Sequence, residues 1–543
     1  MREKQTALTM ENMKKKHLLI GFLSLILSQI DLSARTFSVP NQEGIAITYI
    51  TLSDQQVGVA SNSIAKETAP TLEIPSTITH KGKVYTVTEI GDSAFIWCDQ
   101  LTSIRLPETI EKIGNHAFEE ALKLQEIEIP EKVTSIGHKA FYDCTKLERA
   151  ILPKGLIEIG KDAFAFCGKL EEVSLSGHIK TIGSGAFYDC NKLKRAILPN
   201  DITEIGPNTF YRCHSLKEVR LPGRISEIGA YAFFECEGLK EIKLHNGVKK
   251  IGKGAFSKCT QLKTITLPNS IEKMEDRVFH ECEGLETCKL PNNLTEIPDG
   301  TFFSCTALKK IKLPNLINRI GEYAFYQCES MTEIEIPNKV EKIGDLAFNG
   351  CNNLKSFSVG KDNKRYCSEE GVLYDKAKEI LIQFPQSKEA PIFKVPEGVT
   401  KIEDDAFHKC QLIKEIELPS TLTEIGKFAF YYCNGITKID VPSQVTEIGN
   451  SAFSMCRNLK EIRLPKGITK IAMGTFSGCI SLNDVTIPEG VTSIGNLAFY
   501  KCTSLSQLEL PSTITEIGKN AFIGTQTNYA VEDDNKFKEK IEF

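Results

Sequence analysis

The sequence predicts a β-rich repeat solenoid with short helical or 3₁₀ turns, and three observations predict it. Phe recurs every 23 residues from Phe95 to Phe348 and again from Phe407 to Phe522, 18 times in all. Cys stands three residues after Phe in 16 of the 18 units, and Pro stands twelve residues after Phe in 14. Between them, apolar and polar residues alternate with period two, the mark of a strand with one buried face. A chain of 543 residues would ordinarily hold about three or four domains. A fixed period of this length points instead to one repeated supersecondary unit.

The unit from Cys213 to Phe233 illustrates each element in order. Val219 and Leu221 alternate with Glu218 and Arg220 and form a short strand. Pro222 has no N–H to give to a ladder, so it ends the strand. Gly229, after Ile228, suits a turn that needs positive φ. Ala232 and Phe233 then occupy a helical or 3₁₀ turn on the opposite side, where Ala lets coils approach and Phe fills the space between walls. A single unit buries too little to fold alone; stacking supplies the shared ladders and continuous core.

The ends depart from the period. Lys14, Lys15, Lys16 and His17 precede the apolar run Leu18–Ile30, and Leu32–Ser33–Ala34 offers a small-residue cleavage site. This is the order of a secretory signal peptide, and the run is short for a membrane span. Met13 is an alternative start. Residues 1–34 are therefore read as a signal peptide and 35–90 as an N-terminal cap. The cap holds a strand at Leu72–Ile74 and a hairpin around His80–Lys83. Repeat blocks span 91–359 and 396–525, separated by an island at 360–395 read as a protruding β-hairpin, and 526–543 is a polar tail. After residue 34 no stretch is apolar and long enough to span a membrane.

The pattern Leu-x-x-Ile-x-Leu-Pro after Cys, then Ile-Gly-x-x-Ala-Phe-x-x-Cys, resembles the BspA-like class of bacterial leucine-rich repeats over about residues 72–525. The Gly371–Tyr374 stretch is similar to islands of that class. The resemblance implies a right-handed leucine-rich-repeat coil of 23-residue units. It also implies an exported or surface-displayed adhesion protein whose partners are host or bacterial surface proteins.

Catalytic chemistry finds no footing in the sequence. Sixteen cysteines share one internal position, so they are expected to be reduced, buried and structural. Cys288 replaces a strand Ile, and Cys367 in the island is the one expected exposed thiol. A spacing of 23 gives no metal-ligand motif, and His116 and His138, one repeat apart, read as turn residues. No nucleophile, phosphate-loop or zinc-protease motif occurs, so no enzyme, cofactor or metal is expected. The formal net charge of −4, with signs interspersed, argues against nucleic acid.

Function is then sought outside the core. The residues flanking each central strand position face outward and are charged with mixed sign. Glu218, Arg220, Glu241, Lys243, Lys310, Lys312, Glu333 and Glu335 are candidates for a protein partner of complementary charge. A second stripe directly follows Phe, and its Tyr142, Tyr188, Tyr211 and Phe234 are candidate edge contacts. These aromatics are the feature that would support the alternative, a carbohydrate-binding or nutrient-capture surface protein.

Overall fold

A computed structural model describes residues 35–64, 70–175 and 177–526, with the backbone of 528–530. The predicted signal peptide lies outside the described residues. The chain forms two compact units, Met1–Pro222 and Gly223–Phe543. Each is a solenoid in which successive coils of 23 residues stack in register.

Most coils present two short parallel ladders. The first wall is the predicted strand: Glu126–Glu128 pairs with Arg149–Ile151, and Arg195–Ile197 with Glu218–Arg220. Its central residue points inward, as with Ile127 at 2% exposure and Val219 at 8%. The following Pro accepts from the amide three residues on, as in Val133 N to Pro130 O at 3.0 Å, and turns the corner. A second wall follows at the Glu-Ile or Lys-Ile pair: Lys112–Ile113 pairs with Ser135–Ile136, and Glu227–Ile228 with Lys250–Ile251. Two residues are too short to show a period, so this second strand per unit leaves no mark in the sequence.

The Gly after that Ile has a different role from the one expected. Gly137 and Gly252 do not adopt positive φ; instead a Cβ at either would lie 2.5 Å from backbone of the preceding coil. Close approach, not turn conformation, requires glycine there. The left-handed residues sit elsewhere, two before and two after each repeat Phe. His116 (φ 55°) and Glu120 (φ 57°) flank Phe118, and Leu497 (φ 59°) and Lys501 (φ 57°) flank Phe499.

These paired left-handed residues explain why the expected helical turn is a chain of single turns, with no helix among the described residues. A helix would bond each amide within the chain. Here alternate amides turn outward to the next coil: Ser93 N reaches Asn115 O, Phe95 N reaches Ala117 O, and Trp97 N reaches Glu119 O, at 2.7–2.8 Å. The amides between them close local turns, as in Cys98 N to Phe95 O. All of these inter-coil bonds run from one coil to the following one.

Inside, the repeat Phe rings stack on each other. Phe118–Phe141 centroids are 5.1 Å apart in the first unit, and Phe325–Phe348 5.5 Å in the second. The Cys column has a function beyond filling space. Cys144 Sγ donates to Phe118 O at 3.2 Å and Cys456 Sγ to Phe430 O at 3.0 Å, so each thiol ties to the coil before it. Where Thr replaces the Ala before Phe, its buried hydroxyl is satisfied three residues back, as in Thr301 Oγ1 to Pro298 O at 2.7 Å.

At the N-terminus, strands β1 (Thr36–Pro40), β2 (Ala46–Thr51) and β3 (Gln56–Val59) form an antiparallel meander. Next come β4 (Thr71–Glu73), β5 (Thr77–His80) and β6 (Lys83–Ile90). β4 starts the first wall against Ser103–Arg105, while β6 pairs with β3 and starts the second wall against Lys112–Ile113. β5 and β6 are the expected hairpin, turning through left-handed Lys81 and Gly82. The cap also closes the turn side, where Asn62 N and Ser63 N donate to Ser93 O and Ala94 O.

The island holds the expected hairpin between Val372–Asp375 and Ile380–Gln383, with Tyr366–Glu369 as a third antiparallel strand. It is not simply a protrusion. Ile380–Gln383 also pairs parallel with Lys401–Ile402, and Ile392–Lys394 with Glu415–Glu417, so both walls of the following block start within it. Phe384 stacks on Phe407 at 5.2 Å and donates its amide to Ala406 O, which makes residues 380–395 a coil in register. At the other end, Asn528–Ala530 adds a strand against Gln507–Glu509.

Candidate binding surfaces

The first wall gives each coil two outward side chains beside one buried residue. Parallel register then places residues 23 apart side by side, with strands about 4.8 Å apart. In the first unit the leading position alternates in sign through Glu126, Arg149, Glu172, Arg195 and Glu218, each paired in register with the next. Arg195 Nε lies 3.0 Å from Glu218 Oε2, and Arg220 Nε 2.7 Å from Glu218 Oε1. In the second unit Lys310 Nζ lies 2.6 Å from Glu333 Oε1, and Lys438 Nζ 3.0 Å from Glu461 Oε1. Lys438 holds the Glu461 carboxyl below its usual range. Such exposed pairs contribute little each, roughly 0–1 kcal/mol, but they neutralise the wall.

Glu218, Arg220, Lys310 and Glu333 are therefore engaged along the sheet. Glu241, Lys243, Lys312 and Glu335 are exposed and make no ion pair among the described residues. Segments 241–243 and 310–312 occupy the strand position without forming a ladder strand. The alternation of residues in these segments gives no sign of this interruption. Two exposed apolar residues, Ile151 at 39% and Ile197 at 42%, stand in the second flank position of the first unit.

The edge aromatics are half-buried and contact one another. Tyr142 meets Phe166 edge-on at 5.2 Å, Phe166 meets Tyr188 at 5.2 Å, and Tyr188 stacks on Tyr211 at 4.6 Å with planes 3° apart. Phe166 belongs to this row although it follows its repeat Phe by two residues, not one. In the second unit Phe234 lies under Lys258 Nζ at 5.5 Å, and His280, Phe303 and Tyr326 form a further stack. Burial pushes His280 down to about 4. Ring faces are thus taken by neighbouring rings, and edges are what solvent meets.

Of the other residues singled out from the sequence, His116 and His138 meet edge to face at 5.1 Å but take different partners. His116 Nδ1 pairs with Glu119 at 2.6 Å, whereas His138 Nδ1 bonds Lys161 O at 2.7 Å. All 18 cysteines are free thiols, and all but Cys367 are buried. Burial raises the pKa of most of these thiols, to about 12 for Cys282 and Cys351. Cys367, expected to be exposed, is half-buried with Sγ donating to Asp375 O at 3.1 Å, and burial raises it too. Among the described residues no group of His, Cys, Asp and Glu is placed to hold a metal, and no helix is long and apolar enough to cross a membrane.

A family profile described as "BspA type Leucine rich repeat region (6 copies)" matches residues 77–194, 180–306, 272–370, 383–479 and 469–538. No curated protein matches the chain. Among solved structures, a leucine-rich repeat protein of Eubacterium ventriosum is 26% identical, with 58% of this chain and 87% of that chain covered and a TM-score of 0.45. One from Bacteroides ovatus is 26% identical over 89% of this chain and 98% of its own, with a TM-score of 0.41. A leucine rich cell surface protein of Faecalibacterium prausnitzii is 24% identical over 91% and 95%, with a TM-score of 0.34.

Proposed function

Because the chain belongs to the BspA-type leucine-rich repeat family, whose solenoid is a protein-interaction scaffold and not a catalytic fold, we propose that it is an exported adhesion protein that binds protein partners at the cell surface. The observation that carries this reading is the first wall. It offers two outward side chains per coil on a backbone fixed by ladders on three sides, and their charges are of mixed sign. Such a surface discriminates partners by charge register more than by apolar area. Export is supported by the positive n-region and apolar run at Lys14–Ile30.

The carbohydrate-capture reading has less support. A sugar needs an open ring face, and Tyr188 and Tyr211 present their faces to each other. Surface labelling of intact cells, followed by binding of the purified protein to host matrix proteins and to a glycan array, tests the proposal. The expected result is labelling of the chain at the surface and saturable binding to a protein. Glycan binding lost on Tyr188→Ala and Tyr211→Ala, with no protein bound, would overturn it.

A further inference from the structure

One stretch of the first wall in the second unit is rich in lysine. Its four successive segments 240–243, 263–266, 286–289 and 309–312 carry seven lysines against two glutamates, and neither arginine nor an aromatic residue. Lys263 and Lys309 share the Glu286 carboxylate at 3.2 and 3.5 Å, and Lys310 reaches Glu333 in the next coil. Lys243, Lys289 and Lys312 occupy the same register position, are exposed, and have no ion-pair partner among the described residues. Lys289 and Lys312 are 23 residues apart, hence at one register position on adjacent coils, where like charges repel. Farther along the same unit some lysines of the wall do find acids, as at Lys394–Glu417 and Lys438–Glu461.

We propose that this lysine patch is the docking surface for a carboxylate-rich protein. The inference rests on the protein-binding reading above and names the chemistry of the partner. A positive surface left uncompensated by its own neighbours complements a negative one and steers it into register. The patch uses lysine alone. Lysine is a compact, hydrated point charge without the planar fork by which arginine grips an anion in fixed geometry, so the patch acts through charge and suits the mobile carboxylates of a protein partner. Thr264, Thr266 and Thr287 lie exposed between the lysines and offer hydroxyls to a polar partner without adding charge.

The test measures binding of poly-L-glutamate, heparan sulfate and duplex DNA to the full chain at low and high salt. The variants are K289E/K312E and, on the second wall of the same unit, K470E, each with its thermal midpoint measured. Poly-L-glutamate is expected to bind the parent chain, to weaken about tenfold or more in K289E/K312E, to be unchanged in K470E, and to be released by salt. Equal weakening in both variants, or none in K289E/K312E, overturns the patch. So does tighter binding of heparan sulfate or DNA, or self-association that K289E/K312E abolishes. A protein ligand from the preceding experiment that binds K289E/K312E as well as the parent sinks the patch and leaves the adhesion reading standing.

Discussion

Single residues divide here into those that serve the stack and those left to meet a partner. The cysteine column serves the stack. Each thiol is a small apolar filler that also donates to the Phe carbonyl of the preceding coil, as Cys282 does to Phe256 at 3.0 Å. Charged thiol reagents at pH 8 are therefore expected to leave the buried thiols untouched and to titrate all 18 after denaturation; rapid native reaction of most of them would contradict the buried ladder. Alkali gives a second readout. Folding raises these pKa values, so the folded state holds its thiol protons more tightly. That stabilisation is complete below the ordinary thiol range and is lost as pH climbs toward about 12, the value for Cys282, Cys351, Cys456 and Cys502. The slope is at most about 1.4 kcal/mol per pH unit per thiol. Melting followed by circular dichroism between pH 8 and 11 should show the midpoint falling steadily.

At the scale of one coil, the turn and the Gly corner make opposite demands on side chains. Gly137→Ala would press a methyl against the Gly114 backbone at 2.5 Å, and should destabilise the first unit by roughly 1–3 kcal/mol. Leu497, held at φ 59°, pays for a conformation that glycine adopts freely; Leu497→Gly should be neutral or stabilising within about 1 kcal/mol. Urea unfolding of the two variants compares them directly. The same contrast marks what was legible in the sequence. Phe, Cys, Pro and the wall residues were readable because buried positions restrict residue type. The left-handed sites were not, since Trp97, Asp143, Phe166, Arg212 and Leu497 share no chemistry. There the inter-coil ladder imposes φ, whatever the side chain. The outward candidates were legible by period two, and their pairings by a register of 23. The island coil was overlooked because Phe384 lacks the Gly and Ala that accompany Phe elsewhere.

Across the molecule, coils answer mainly to their neighbours, as in other repeat proteins. Removing residues 145–167, one full period, joins equivalent positions and should preserve a cooperative melt with little change in midpoint. Removing residues 145–156 breaks the register of every wall and should abolish that melt. If both deletions behave alike in calorimetry, the in-register stack is not what stabilises the fold.

The turn ladder, in which each coil hands its Phe amide forward to the next, gives the stack a vector. The face that opens the first unit therefore presents carbonyls, to which the amides of another coil could bond. Asn62 and Ser63 occupy the carbonyls of Ser93 and Ala94, which closes the first face to such growth. The segment that follows the N-terminal meander thereby seals this face against end-to-end polymerisation.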